Sequence, residues 1–87
     1  MYQVQYSDRV RSVEILKLDA TVRLLILEAI ETKLMTVPEA FGKPLRHTLR
    51  SLRTLRVGDW RVIYQLSGEI VYVVTIRHRR KGYGDLA

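Results

Sequence analysis

The chain of 87 residues contains no cysteine. Without thiols it can form neither a disulfide framework nor a thiolate zinc site, which points to an intracellular protein. No segment approaches the roughly 20 apolar residues of a membrane span, and the N-terminus lacks a basic stretch followed by an apolar one. These absences predict a soluble, cytoplasmic protein. The length predicts one domain, residues 1–87, with a single modest core.

Acidic residues are scarce in the second half of the chain. Residues 1–42 contain five Lys/Arg and six Asp/Glu, which gives a net charge of −1. Residues 43–87 contain ten Lys/Arg and three Asp/Glu, which gives a net charge of +7. Many small domains have a solvated basic surface. An asymmetry this steep nevertheless favours a polyanionic ligand or an acidic protein partner.

The first half has the periodicities of one strand and two helices. Residues 2–6 alternate between apolar and polar side chains, as in a half-buried strand. Ser7 and Asp8 can cap a helix from about residue 9 to 18. That helix would place on one side Val10, Val13 and Leu16 or Lys17.

A second helix is predicted between Asp19, which can cap it, and Pro38, which ends the segment. Its apolar stripe consists of Val22, Leu25, Ile26, Ala29, Ile30 and Leu34. Leu24 falls on the other side of this helix and Leu27 at the edge of the stripe. Both are candidates for a partner interface, although single exposed leucines are common.

The second half predicts three strands. Ala40 to Pro44 is expected to be a loop, because it contains glycine and proline. A strand whose start the pattern does not place follows, with apolar positions at Leu45, Leu49, Leu52, Leu55 and Val57. After a Gly58-Asp59 turn, the second strand alternates Trp60, Val62, Tyr64 and Leu66 with Arg61, Ile63 and Gln65. After Ser67-Gly68-Glu69, the apolar run from Ile70 to Ile76 is typical of a central strand.

The order of elements predicts an α+β fold. It has an N-terminal strand, a two-helix hairpin, a three-strand antiparallel meander in one sheet and a basic C-terminal tail. In this arrangement Trp60 is expected to pack in the core, because it alternates with Val62 and Tyr64.

Two segments carry a resemblance to a known family: Leu55-Arg56-Val57-Gly58-Asp59-Trp60-Arg61-Val62-Ile63-Tyr64, and His78-Arg79-Arg80 followed by Tyr83. Together with the order of elements, they resemble the RelE/ParE superfamily of bacterial toxins from toxin-antitoxin pairs. The resemblance spans nearly the whole chain and implies a RelE-like fold. It also implies a small antitoxin, usually encoded beside the toxin, that wraps it. Members similar to RelE cut messenger RNA on the ribosome without metal, whereas members similar to ParE inhibit DNA gyrase.

The resemblance assigns roles to several residues. Arg61 matches the family arginine that contacts the scissile phosphate in the RNases. Arg79 or Arg80, with Tyr83, matches the C-terminal arginine and aromatic residue of those enzymes. The chain departs from them on the preceding strand, where they carry lysines and this chain has Leu52, Arg53, Thr54, Leu55 and Arg56. Some RNase members instead use a C-terminal histidine beside an aromatic residue, a position that His78 can fill.

RNA cleavage by the 2′-hydroxyl needs a base, an acid and cations around the phosphate. Arginine binds phosphate through two parallel hydrogen bonds and stays charged. Histidine titrates near neutrality, and tyrosine can stack on a base or donate a proton. The predicted catalytic residues, with no metal and no cofactor, are Arg61, His78, Arg79 and Tyr83. Arg61 would instead be structural if it paired with Asp59 or a C-terminal group, and Tyr83 if it were part of a disordered tail.

Other basic residues are predicted to bind the substrate. Strand alternation places Arg50 and Arg56 on the face of Arg61, and Arg53 on the opposite face, provided that the segment around Arg50 is a strand. The predicted substrate-binding residues are Arg50, Arg56, Arg80 and Lys81.

Three functions remain open from the sequence. The first is a ribosome-dependent endoribonuclease that cuts messenger RNA and thereby inhibits translation. The second is a toxin that inhibits DNA gyrase by protein contact. The missing strand lysines favour it, and the ending from His78 to Tyr83 weighs against it. The third is an attenuated toxin that acts mainly by binding its antitoxin.

Overall fold

The computed structural model describes residues 1–41, 43–44 and 51–86. These residues form an α+β fold in which helices pack on one face of a five-stranded sheet. The strands are β1 (Gln3–Tyr6), β2 (Lys43–Pro44), β3 (Leu52–Val57), β4 (Trp60–Ser67) and β5 (Ile70–His78). No helix in this part of the chain is long and apolar enough to cross a membrane.

Three helical segments accompany the sheet. Helix α1 begins at Asp8 and Arg9, continues as π-helical turns at Val10–Glu14 and ends with Ile15–Lys17. Helix α2 is Ala20–Ala29 and continues into π-helical turns at Ile30–Leu34. Helix α3 is Pro38–Phe41, and a 3₁₀ turn at Gly84–Leu86 follows the sheet.

The strand order is β1-β5-β4-β3-β2, with β1 parallel to β5 and all other neighbours antiparallel. The predicted antiparallel meander of the last three strands is therefore confirmed. Both of its turns begin with a glycine at φ +59°, Gly58 and Gly68. Residues with a Cβ rarely adopt this conformation, and it matches the twist of tight hairpins. The Gly58-Asp59 turn thus places Arg56 opposite Arg61.

Side-chain caps set the starts of both long helices, as the sequence predicts. The Ser7 hydroxyl accepts a hydrogen bond from the Val10 N–H at 3.2 Å. The Asp19 carboxylate accepts one from the Val22 N–H at 3.0 Å. A cap satisfies a donor that the helix itself leaves free, so these two residues fix where the chain turns into α1 and α2.

The hydrophobic core lies between the helices and the sheet. Its buried side chains are Val10, Leu18, Ile26, Ile30 and Leu34 from the helical half, and Leu55, Val62, Tyr64, Val71, Val73 and Ile76 from the strands. The Tyr64 hydroxyl donates to the Pro38 carbonyl at 2.6 Å, which satisfies a buried polar group and ties α3 to β4. The predicted alternation of β4 and most of the predicted α2 stripe are confirmed.

Some predicted faces are wrong. Val13 and Leu16 of α1 are 43% and 64% exposed, because the π-helical turns shift the spacing on which the predicted stripe depends. Leu25 of α2 is 56% exposed and lies beside the buried stripe. Leu24 is exposed as predicted, and Leu27 is half-buried.

The predicted loop from Ala40 to Pro44 is also wrong. It contains the end of α3 and the short strand β2, where Lys43 is paired opposite Thr54 of β3. The predicted strand positions Leu45 and Leu49, together with Arg50, lie outside the described residues.

Candidate functional site

Three arginines lie side by side on the face of the sheet that points away from the helices. Arg61 on β4 is directly opposite Arg56 on β3 and Arg77 on β5. We call Arg56, Arg61 and Arg77 the arginine row. Like charges on directly opposed strand positions repel each other, so the row gains stability when an anion binds between them.

An irregularity in β5 brings Arg77 into this row. Tyr64 is opposite Val73, but Ile63 is opposite Thr75, so Val74 is an extra residue in the ladder. With unbroken alternation, Arg77 would share the face of Trp60, and His78 would share the face of Arg61. The bulge at Val74 exchanges the two.

The members of the row differ in their partners. Arg77 is 3% exposed, and its guanidinium donates to both carboxylate oxygens of Asp85, at 2.8 and 3.0 Å. This hydrogen bonding holds the pKa of the Asp85 carboxyl at about 2, below its ordinary value of 3.8. For Arg56 and Arg61, no ion pair is found within the described ranges. The row therefore presents two guanidinium charges that lack an ion-pair partner there.

A polar network attaches residues 82–86 beside the row. Arg77 also donates to the Gly82 carbonyl at 2.6 Å, and Arg9 lies 3.5 Å from Asp85. Arg9 in turn pairs with Glu14 at 3.1 Å. Tyr83 is half-buried within the segment that Gly82 and Asp85 attach to Arg77.

Glu14 joins α1 to the edge of β5. Its carboxylate accepts hydrogen bonds from the Ile76 N–H at 2.8 Å and from the Thr75 hydroxyl at 2.6 Å. Strand β1 pairs with β5 only as far as Val73, so the strand edge beyond it lacks a backbone partner from β1. The Glu14 side chain supplies an acceptor for that edge.

His78 lies on the helix side of the sheet, away from Arg61. It is opposite Trp60, and the two rings meet edge to face with centroids 5.3 Å apart. Its Nδ1 accepts a hydrogen bond from the Arg80 N–H at 3.2 Å. Both contacts orient the imidazole as part of the local packing.

Arg79 is bound to the turn between β3 and β4. Its N–H donates to the Asp59 carbonyl at 2.8 Å, and its side chain lies 3.6 Å from the Asp59 carboxylate. Arg80 and Lys81, in the turn that follows, are exposed. These three cations form the exposed basic end of β5.

The structure therefore separates two of the predicted catalytic residues, His78 and Arg79, from Arg61. Arg61 lies in the arginine row, His78 lies on the opposite face, Arg79 is paired with Asp59, and Tyr83 is in the segment attached to Arg77. Among the predicted substrate-binding residues, Arg56 joins the row. Arg53, which the sequence excludes from that set, is opposite Tyr64 and lies on the other face, as predicted.

Sequence reasoning missed Arg77 and Asp85. Arg77 immediately follows an apolar run in which both faces are apolar, so the sequence gives no sign of the bulge that turns it toward Arg61. One signal was present, because Asp85 is the only acidic residue among residues 70–87. A lone carboxylate close to a cluster of four cations is a natural ion-pair partner.

Two clefts flank Trp60 on the helix side. One, of about 200 Å³, lies between α2 and the β3–β4 turn and is lined by Val22, Leu25, Ile26, Val57, Gly58, Asp59 and Trp60. The other, of about 220 Å³, includes Lys17, Leu18, His78 and Lys81. The helix side thus has two recesses, and Lys17 and Lys81 line the second of them.

A family profile and several solved structures relate the chain to toxins of toxin-antitoxin systems. The sequence profile of the family described as "ParE toxin of type II toxin-antitoxin system, parDE" matches residues 4–83. No curated protein matches the sequence. The fold is similar to the RelBE2 toxin-antitoxin complex from Mycobacterium tuberculosis, at a TM-score of 0.82 and 26% identity over 90% of this chain and 98% of that one.

Two further structures share the fold. A mutant of the E. coli toxin RelE bound to an antitoxin RelB peptide gives a TM-score of 0.70 and 23% identity, covering 99% of this chain and 94% of that one. The archaeal RelE-RelB complex from Pyrococcus horikoshii gives a TM-score of 0.63 and 22% identity, covering 93% of this chain and 98% of that one.

Proposed function

Because the chain belongs to the ParE toxin family of type II toxin-antitoxin systems, we propose that it is a ribosome-dependent endoribonuclease that cuts messenger RNA and inhibits translation. The observation that carries this proposal is the arginine row. Arg56 and Arg61 present two guanidinium groups on neighbouring strands, and planar guanidinium forks fit phosphate oxygens. Such a pair binds two adjacent oxygens, or two successive phosphates, of a single strand.

The chemistry assigned to the site is attack by a 2′-hydroxyl on the adjacent phosphate, which forms a cyclic phosphate and breaks the bond to the 5′-oxygen of the next nucleotide. Charge grows on the phosphate oxygens as the new bond forms, and fixed cations stabilise that charge. Arg61, half-buried at the centre of the row, is assigned this role. Removal of one such preorganised group costs about 10² to 10³ in rate in other enzymes.

Tyr83 is assigned as the acid that gives a proton to the leaving 5′-oxygen, and the proton of the 2′-hydroxyl passes to water. This tyrosine lies between Gly82 and Asp85, the two points at which the C-terminal segment is bonded to Arg77. His78 is assigned a packing role beside Trp60, because it lies on the face opposite Arg61. Arg79, Arg80 and Lys81 are assigned to phosphates of the message or of ribosomal RNA, since they form the exposed basic end of β5.

The partner of the toxin is an antitoxin, as in the complexes of similar fold. We place part of its binding surface on the helix side. The clefts beside Trp60 fit apolar side chains, and Lys17 and Lys81 fit acidic ones. The exposed Leu25 borders the first cleft, so Leu25→Glu is expected to weaken neutralisation by a co-expressed antitoxin without removing toxicity. We place the toxin in the cytoplasm, where its proposed target is found.

The test is expression without the antitoxin, followed by mapping of messenger RNA ends in translating cells. New ends within reading frames are expected with the unaltered protein and are expected to disappear in Arg61→Ala. The control is Arg11→Ala, which removes an exposed arginine of α1 that pairs only locally with Asp8. Growth arrest with intact transcripts would contradict the proposal.

Inhibition of DNA gyrase is the second candidate. The family description names ParE. In addition, β3 carries arginines and lacks the lysines that RNases of the RelE kind carry on this strand. Inhibition of supercoiling by the purified protein, with intact transcripts in cells, would favour this candidate. Absence of growth arrest would instead favour the attenuated toxin.

A further inference from the structure

Arg77 is the third member of the arginine row, but its guanidinium is covered. The Asp85 carboxylate uses two of its nitrogens, Nη1 and Nη2, and the Gly82 carbonyl bonds to Nη1 as well. The side chain of Arg77 is 2% exposed, whereas that of Asp85 is 37% exposed. The cover is therefore reached by solvent from the Asp85 side.

One donor of Arg77 has no partner within the described residues. Its Nε is buried and makes no hydrogen bond. Buried donors are nearly always satisfied, so an unpaired one beside a carboxylate that already uses both oxygens needs an explanation. A phosphodiester carries two charged oxygens, as the carboxylate does, and the ester and ribose oxygens beside it are further acceptors that a bound strand can offer to Nε.

We infer that Asp85 occupies the position of a substrate phosphate on Arg77, and that residues 82–86 are a cover that the incoming strand displaces. With the cover closed, Asp85 neutralises the Arg77 end of the row. With the cover displaced, three guanidinium groups on three adjacent strands face the substrate. Tyr83 moves with the cover and meets the substrate from the displaced position. The inference rests on the proposed function, because it takes the ligand of Arg61 to be a phosphodiester.

The contacts of residues 82–86 allow this cover to be displaced. Only Tyr83 and Leu86 of this segment are half-buried, and the rest of it is exposed. Its bonds to the body of the protein are polar, through Arg77 and through Arg9 at 3.5 Å from Asp85. Such bonds are exchanged for bonds to phosphate at little net cost, whereas a cover held by buried apolar side chains would not be.

The decisive variant is Asp85→Asn. It leaves Arg77 with a buried and unpaired charge, which favours opening of the cover and binding of an external anion. The matched control is Asp8→Asn, which makes the same change in charge in an exposed pair with Arg11 on α1. General electrostatic attraction therefore rises equally in both variants.

The probe is a single-stranded 2′-O-methyl oligoribonucleotide, which the proposed reaction cannot cleave. Affinity is measured by fluorescence anisotropy across a salt series. Asp85→Asn is expected to bind about tenfold more tightly than Asp8→Asn. The slope of log affinity against log salt is expected to steepen by about 0.7, the value for one more phosphate contact to a single strand. Equal affinities and slopes in the two variants would overturn the inference.

A second measurement uses the unaltered protein, so it does not depend on how the variant folds. Hydrogen exchange of the amides of residues 82–86 is expected to quicken when the oligonucleotide is added. Slower or unchanged exchange would mean that the strand binds elsewhere or over a closed cover, and would overturn the inference. If Arg61→Ala binds as well as the unaltered protein, the proposed function fails. If Arg61→Ala loses binding while the cover does not open, only the cover is wrong.

Discussion

Arg61 and Arg77 occupy directly opposed positions on β4 and β5, on the face of the sheet that carries no helix. Sixteen positions separate them in sequence, yet the strand ladder holds their Cβ atoms within about 5 Å. The guanidinium groups that these positions carry repel each other unless an anion lies between or beside them. Asp85 supplies that anion for Arg77, and Arg61 has no ion pair in the described part of the chain. This difference makes Arg61 more available to a ligand than Arg77.

Removal of a guanidinium from the row is expected to reduce the number of phosphate contacts. Arg56→Ala and Arg61→Ala should each flatten the slope of log affinity against log salt by about 0.7 for a single-stranded oligonucleotide. Binding should weaken for all sequences alike, because phosphate contacts carry no base information. Arg11→Ala should keep the original slope. A control slope that falls as much as that of Arg61→Ala would refute the assignment.

His78 is expected to be dispensable for toxicity. It packs against Trp60 on the face opposite Arg61, so His78→Gln should still arrest growth under conditions in which Arg61→Ala does not. The substitution should lower the free energy of unfolding by about 0.5 to 1.5 kcal/mol, because the ring contact with Trp60 is lost. Urea unfolding and growth curves measure the two effects separately. Loss of messenger cleavage in His78→Gln at unchanged stability would return the histidine to the catalytic site.

Glu14 is expected to be one of the more important polar residues for stability. Glu14→Ala removes the acceptor of the Ile76 N–H and the Thr75 hydroxyl, and leaves a strand edge without its partner. Hydrogen bonds to a charged group contribute about 1.5 to 3 kcal/mol, so a loss of about 2 to 3 kcal/mol is expected in the free energy of unfolding. Glu28→Ala, at an exposed position of α2, should change it by less than about 0.5 kcal/mol. Similar losses in both variants would contradict this role.

The pairing of Asp85 predicts a specific dependence of stability on pH. Its pKa in the folded protein is about 2, below the ordinary 3.8. A depressed pKa stabilises the fold above the unfolded value, and this stabilisation is lost as the pH falls from about 4 toward 2. Asp85→Asn should therefore lose less stability than the unaltered protein over that interval, as measured by chemical unfolding at each pH. Parallel pH profiles of the two proteins would show that the carboxylate is not held by Arg77.

Local patterns predicted much of this fold. Caps at Ser7 and Asp19 act within three residues, and the two glycine turns each need only a positive φ, so both can be recognised in the chain itself. The predicted face of α1 failed because π-helical turns change the spacing of its side chains. Strand β2 was missed because two residues carry no alternation, and only their pairing with β3 makes them a strand.

The sequence by itself determined half of the arginine row. A two-residue turn at Gly58-Asp59 fixes the register of the hairpin, and alternation then places Arg56 beside Arg61 without any distant contact. Only the tertiary structure decided that Arg77 completes the row while His78 packs against Trp60. That choice depends on one extra residue, Val74, in a run that is apolar on both faces and so leaves the register to packing.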